Sequence, residues 1–292
     1  MSDFIKQNAI EISFKKGEPW VILTKIEQQI KEKIEKYGMP LSKWDGIKIN
    51  RGILTGCNEA FIIDSGKRNE ILCGCESEEE RQRTDKIIRP ILRGRDIKQG
   101  SYEWAGLYLI ALVPSKHYKI EEFPAIKHYL EGASWSDDVP NGYGKLKLEQ
   151  TGKSHVVNGI KFTSRKATGN KWFETQDQIA YMDDLYNQKI VYSEIVQKPQ
   201  FYFDKTGEFI PEASAFYLYA KDMDYLVEYL NNPLSGWIFK KYYAGGGLGD
   251  TGYRYKKAFF VNLPIPIKLI KNYFDAFNLT DEEKNYIESS LN

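Results

Sequence analysis

The segment 245–257, GGGLGDTGYRYKK, sets Gly247, Gly249 and Gly252 at the spacing G-x-G-x-x-G. Glycines so placed let backbone N–H groups approach a pyrophosphate at the start of a helix. That chemistry requires a strand before the loop, a helix after it, and an acid about 20 residues further on. Here WIFKKYYAGG reads as the end of a helix, with Gly245 just past its last turn, and the prolines 264 and 266 follow soon after. No acid closes a βαβ unit and no GK[ST] follows the glycines, so dinucleotide and P-loop chemistry are both set aside. The stretch is read as a link whose neighbours Lys240, Lys241, Arg254, Lys256 and Lys257 could meet backbone phosphates.

Other catalytic patterns are incomplete. Asn232-Pro233-Leu234 holds part of the Asn-Pro-Pro-aromatic loop of amino-methyltransferases but lacks the second proline and the aromatic that stacks on a flipped base. It reads instead as a helix start with proline at the first position. Asp96-Ile97-Lys98 is half of a nuclease Asp-x-Lys, without its Pro-Asp partner upstream. Asp137-Asp138 and Asp183-Asp184 are adjacent acids of the kind usually solvated. Cys57, Cys73 and Cys75 stand far from His117, His128 and His155, which argues against structural zinc, and their odd number argues against a disulfide framework.

Charge is more informative. The 292-residue chain carries a formal net charge of +1, so any electrostatic reading rests on local clusters. Between residues 145 and 171 lie seven cations, Lys145, Lys147, Lys153, Lys161, Arg165, Lys166 and Lys171, against the single acid Glu149. Between 240 and 257 lie five cations against Asp250. Each phosphate neutralised by such a group adds salt-dependent affinity through counterion release. Asn170, Trp172 and Gln176 accompany the first cluster. Lysine and arginine can pair with guanine, asparagine and glutamine with adenine. Aromatics reach 14%, with 20 Tyr against 15 Phe, which suits half-wet surfaces.

The elements that must position these groups are legible in part. Residues 18–38 read as an amphipathic helix, with Ile22, Ile26, Ile30 and Ile34 at i+4 spacing and Gly38 ending it. Residues 47–53 and 60–64 are β-type runs joined by the turn Thr55-Gly56-Cys57-Asn58. Ser77 caps a helix over 77–88 that is limited by Pro90. A strand over 107–113 and a short helix over 124–130 follow. Residues 132–178 lose apolar periodicity and read as a long functional loop. Strands resume at 189–195, 200–204 and 213–220, with a hairpin turn at Asp204-Lys205-Thr206-Gly207. Helices are expected over 222–230, 233–243, 266–277 and 281–291, the last with Thr280 as its cap and Glu283 completing a capping box. No apolar run is long enough to span a membrane, and MSDFIKQNAIE has no apolar signal core. A cytoplasmic location is expected.

One series of segments resembles a known family. GILTGCNEAFIID (52–64), IIRPILRGRDI (87–97), GLYLI (106–110), NKWFETQ (170–176), KIVYSEI (189–195), FYFD (201–204), YLNNPLSGWIFKKYY (229–243) and YRYKKAFFVNLPIP (253–266) resemble, in order and spacing, the TaqI-like C-terminal specificity domain. That module is the target-recognition domain of fused restriction–modification enzymes and adenine-specific DNA methyltransferases. The resemblance implies binding to double-stranded DNA and choice of its sequence, beside a methyltransferase or nuclease domain or subunit. It implies AdoMet and a divalent metal in those associated domains and no cofactor here, since no position matches the family's catalytic residues.

The resulting expectation is a mixed, mostly antiparallel α/β DNA-recognition domain with flanking helices and a C-terminal helical segment. Its divisions are an N-terminal helical linker (1–45), the recognition domain (46–221) and C-terminal helices packing on it (222–292). Asn58 either faces a groove or only bonds its own turn. Arg93 and Arg95 contact phosphates, or one of them pairs with Asp96. Trp172 stacks on a base or anchors its loop, the anchor being preferred. Arg165, Lys166, Lys171 and Gln176 are the leading DNA contacts. Two rival readings are a metal-dependent nuclease using Asp96 or Asp183, and a protein-binding module with a basic loop.

Overall fold

The computed structural model describes residues 23–177, 182–245, 252–268, 270 and 272–291. An antiparallel sheet of four strands runs through its middle, in the order Phe201–Asp204, Lys189–Ser193, Ala215–Tyr219, Lys48–Arg51. Both of its faces are covered, and the period-two alternation of strands sorts the side chains between them. Ile190, Tyr192, Leu218 and Ile49 face one core, while Val191, Ala215 and Tyr217 face another.

The first core is completed by the terminal helices. Lys25–Tyr37 starts at Thr24 and Glu27, which form a capping box, and buries Ile30 and Ile34. Ile26 packs at the edge of that core, and Ile22 lies outside the described residues. The helices Met223–Leu230, Pro233–Ile238 and Asp281–Leu291 share this core. Over its described part the N-terminal segment packs into this core: Ile34 and Leu41 are buried in one cluster with Leu226, Phe277 and Ile287. The apolar stripe that predicted the helix needs a partner, and the C-terminal helices supply it. Thr280 and Glu283 close the expected capping box at the last helix. Of the expected 266–277 helix, Tyr273–Ala276 is helical, whereas Pro266 ends a strand, Pro264–Pro266, paired with Gly38–Pro40.

The second core lies between the central sheet and a smaller mixed one. Its order is Ile210–Pro211, Ile88–Leu92, Leu107–Ile110, Ile62–Asp64, with only the first pair parallel. One expected turn between β-type runs and one expected hairpin turn both prove to be crossings between sheets. The runs on either side of Thr55-Gly56-Cys57-Asn58 pair in different sheets, Lys48–Arg51 with Ala215–Tyr219 and Ile62–Asp64 with Leu107–Ile110. The turn at 204–207 likewise carries the chain from the central sheet to the smaller one. Local turn chemistry is right in both places, with Gly56 and Gly207 at positive φ, but each connection crosses between layers.

The expected long loop over 132–178 contains a helix, Gly144–Leu148, and a two-stranded ribbon, Ser154–Val157 with Ile160–Thr163. Asn158 and Gly159 both take positive φ at its tip, as a type I′ hairpin turn requires. Among the described residues no helix is long and apolar enough to cross a membrane.

Candidate nucleic-acid interface

Gly52 is where two layers touch. Its N–H donates to the Ala215 carbonyl (2.9 Å), and Ile53 N–H donates to that of Pro211 (2.8 Å). A Cβ at Gly52 would stand 2.2 Å from the Glu212 carbonyl oxygen, so only glycine allows the approach. The crossing sets Asn58 beside Glu212, with Nδ2 3.5 Å from Oε1. Thr55 Oγ1 donates to Asn58 Oδ1 (2.6 Å) and accepts from Cys57 N–H (3.1 Å). The turn therefore does bond itself, and it leaves the Asn58 side chain exposed in a fixed orientation. From the other side, Gly94 N–H donates to Ser214 Oγ (3.0 Å), which donates to Glu212 Oε2 (2.6 Å).

Arg93 and Asp96 form the expected pair. Arg93 donates through Nε (2.9 Å), Nη2 (2.7 Å) and its backbone N–H (2.9 Å) to the carboxylate. Burial pushes the Asp96 carboxyl up, but the Arg93 bonds outweigh it and hold it below the usual range. Arg93 is thereby committed, whereas Arg95 is exposed. Asp183 is paired with Lys116. Both acids that a nuclease reading would use are engaged with cations. Among the described residues no group of three or more His, Cys, Asp or Glu side chains could hold a metal ion.

Arg165 corrects another expectation. It is buried, and its guanidinium donates to three backbone carbonyls: Nε to Leu148 (2.9 Å), Nη1 to Thr55 (2.8 Å) and Nη2 to Trp172 (2.6 Å). It also lies over the Phe61 ring, 5.1 Å from its centroid. Burial lowers its pKa to about 10, which leaves it charged at neutral pH. Three of its five N–H groups are taken by carbonyls and the side chain is buried, so it presents no surface to a phosphate and instead fastens the 145–172 segment to the turn at 55. Trp172 packs against the same core, with Lys145 Nζ 5.6 Å from its ring centroid, consistent with the anchor reading. Gln176 is half-buried against the Gly56 turn, where its Oε1 would stand 2.8 Å from an added Cβ. Lys166 is exposed without a partner among the described residues. Lys171 is exposed too, its Nζ 3.3 Å from the Tyr118 carbonyl and 3.9 Å from Glu174 Oε1.

The second cluster divides as well. In Tyr253–Lys257 the tyrosines point in and the cations out: Tyr253 and Tyr255 are buried, Arg254, Lys256 and Lys257 exposed. Lys257 Nζ donates to the Ile49 carbonyl (2.5 Å), and Lys256 Nζ lies 5.7 Å from the Phe259 ring centroid. Arg254 pairs across strands with Ile195, whose carbonyl accepts from Ser193 Oγ (3.0 Å). Ser193 Oγ would lie 2.9 Å from a Cβ on Gly94, so the Arg95 turn and the Arg254 strand adjoin through Ser193. Lys240 is exposed, but Lys241 is spent on Glu27 at 2.5 Å. Gly247 and Gly249 of the glycine motif lie outside the described residues; a helix, Pro233–Ile238, continued by a π-turn, precedes them. Sequence reasoning missed Glu212 and Ser214, which hold Asn58 and the Arg93 turn together, because no local pattern marks a junction between layers.

The model of the TaqI-like C-terminal specificity domain matches residues 89–265, and the chain belongs to that family. Two solved structures are similar to it. One is the type IIL restriction–modification enzyme MmeI in complex with DNA, at 11% identity over 77% of this chain and 25% of that one, with a TM-score of 0.45. The other is the type IIG restriction endonuclease BpuSI, at 13% identity over 91% of this chain and 28% of that one, with a TM-score of 0.49. The chain thus spans about a quarter of the length of either enzyme. No curated protein matches it.

Proposed function

We propose that this chain binds double-stranded DNA and selects its target sequence on behalf of a methyltransferase or nuclease domain or subunit. The observation that carries the reading is the segregation of charge on a fastened segment. From residue 150 to 173 there is no acid, and of its cations only Arg165 is buried. Lys153, Lys161, Lys166 and Lys171 are exposed on a segment held rigidly by that arginine. Rigid placement of cations at a polyanion orients it, whereas base edges supply the choice of sequence. Asn58, Arg95, Arg254, Lys256 and Lys240 extend the candidate contacts. AdoMet and divalent-metal chemistry would reside in the associated catalytic part.

The test is binding of labelled duplexes across a salt series, combined with selection from a random duplex pool. Affinity falling steeply with salt and an enriched motif are expected. Absence of binding at low salt, or binding without enrichment, overturns the reading and favours an acidic protein partner or an unspecific surface.

A further inference from the structure

The ribbon Ser154–Val157/Ile160–Thr163 presents two unlike faces. Phe162 and His155 face inward, 5.6 Å apart between ring centroids, and Phe162 is buried with Ala133 and Val139. The outward face pairs Ser154 with Thr163 and Val156 with Lys161. The two hydroxyls of the first pair share a hydrogen bond of 3.2 Å. Val156 is 69% exposed, more than any other large apolar side chain among the described residues. A single exposed valine is ordinary by itself; here it shares one outward face with Lys161, Ser154 and Thr163. Every charge on the ribbon and its two stems is positive.

We propose that this ribbon enters the major groove of DNA and reads bases with its outward face. The inference rests on the function proposed above and names the element that reads. A two-stranded ribbon fits a groove about 12 Å wide. Four residues of strand extend about 13 Å, enough to face several base pairs. Lys161 donates to guanine O6 and N7, and the Val156 methyls meet the thymine methyl. Ser154 and Thr163 offer hydroxyls that donate or accept. Lys153 and Lys166, at the stems, lie where phosphates flank the groove. The stems are fixed: Ser164 N–H donates to the Lys153 carbonyl (2.9 Å), and Arg165 ties the next residue to three carbonyls.

The experiment is selection from a random duplex pool with the unaltered chain, Lys161→Ala, Lys161→Gln and Val156→Ser. Lys161→Ala is expected to lower discrimination at one base pair roughly tenfold. Lys161→Gln should move the preference there from guanine toward adenine, a gain that no folding defect mimics. Val156→Ser should relax a neighbouring thymine. An unchanged motif in all three variants overturns the inference. So does a loss equal for every sequence with a salt slope reduced by about 0.9, which marks a phosphate contact. Failure of the unaltered chain to enrich any sequence instead overturns the proposed function itself.

Discussion

Lys189 Nζ lies 2.8 Å from Asp204 Oδ2, and neither side chain reaches solvent. The two residues are register partners on adjacent strands of the central sheet. Lys189 also donates to the Leu185 carbonyl (2.8 Å), and Asp204 Oδ2 accepts from Phe209 N–H (3.0 Å). The pair thus closes the turn that leads from one sheet to the other. Burial depresses the lysine pKa, opposed by the carboxylate beside it.

Removing one member strands the other. Lys189→Met is expected to cost about 3–5 kcal/mol in urea unfolding. The double variant Lys189→Met/Asp204→Leu should recover part of that loss. Recovery stays partial because Glu208 and Phe209 N–H lose their acceptor.

Adjacent cations are expected to behave oppositely. Arg165→Lys keeps the charge but not the planar fork, so about 2–4 kcal/mol of stability is lost. Hydrogen exchange over 154–163 should quicken as the ribbon loosens. Lys166→Ala should leave stability within about 0.5 kcal/mol. It should weaken DNA binding for all sequences alike and reduce the salt slope by about 0.9.

Gly52→Ala forces a methyl to within 2.2 Å of the Glu212 carbonyl oxygen. Backbone on both sides must move, and a loss of about 3 kcal/mol or more is expected in thermal or urea unfolding. Glycine-to-alanine at Gly100, where no atom lies within 4 Å, carries only the strain of its φ of +69° and should cost clearly less.

Glu27 ties the two ends of the chain together. Burial alone would raise its pKa, but bonds from Lys241, Tyr286 and the Thr24 N–H bring it from 4.5 to about 2. A carboxylate depressed in the folded state adds stability that is complete above its unfolded pKa and is lost as pH falls through the folded one. Stability should therefore drop between about pH 4.5 and pH 2, and Glu27→Gln should flatten that part of the profile in pH-dependent unfolding.

Local chemistry was legible in the sequence, and layer assignment was not. The caps at Ser77 and Thr280 and the stripe through Ile26, Ile30 and Ile34 depend on residues a few positions apart, and the helices follow them. The turns at Gly56 and Gly207 were legible as turns, but which sheet receives the next strand depends on packing far along the chain. The 154–163 ribbon leaves only a short Asn-Gly hairpin signal, in VVNGIKF, within a 132–178 stretch that lacks apolar periodicity. Arg165 and Lys166 look alike in sequence. Only the carbonyls of Leu148, Thr55 and Trp172 separate them, and carbonyls leave no trace in side-chain identity.

The ribbon belongs to neither four-stranded sheet, and Arg165 fastens it through groups that every amino acid possesses. Such a clasp is indifferent to which residues flank it, so long as the arginine remains. The outward positions 154, 156, 161 and 163 can therefore drift without reopening the folding problem. On the reading proposed above, a ribbon held in this way could change its base preference while the architecture around it stays intact.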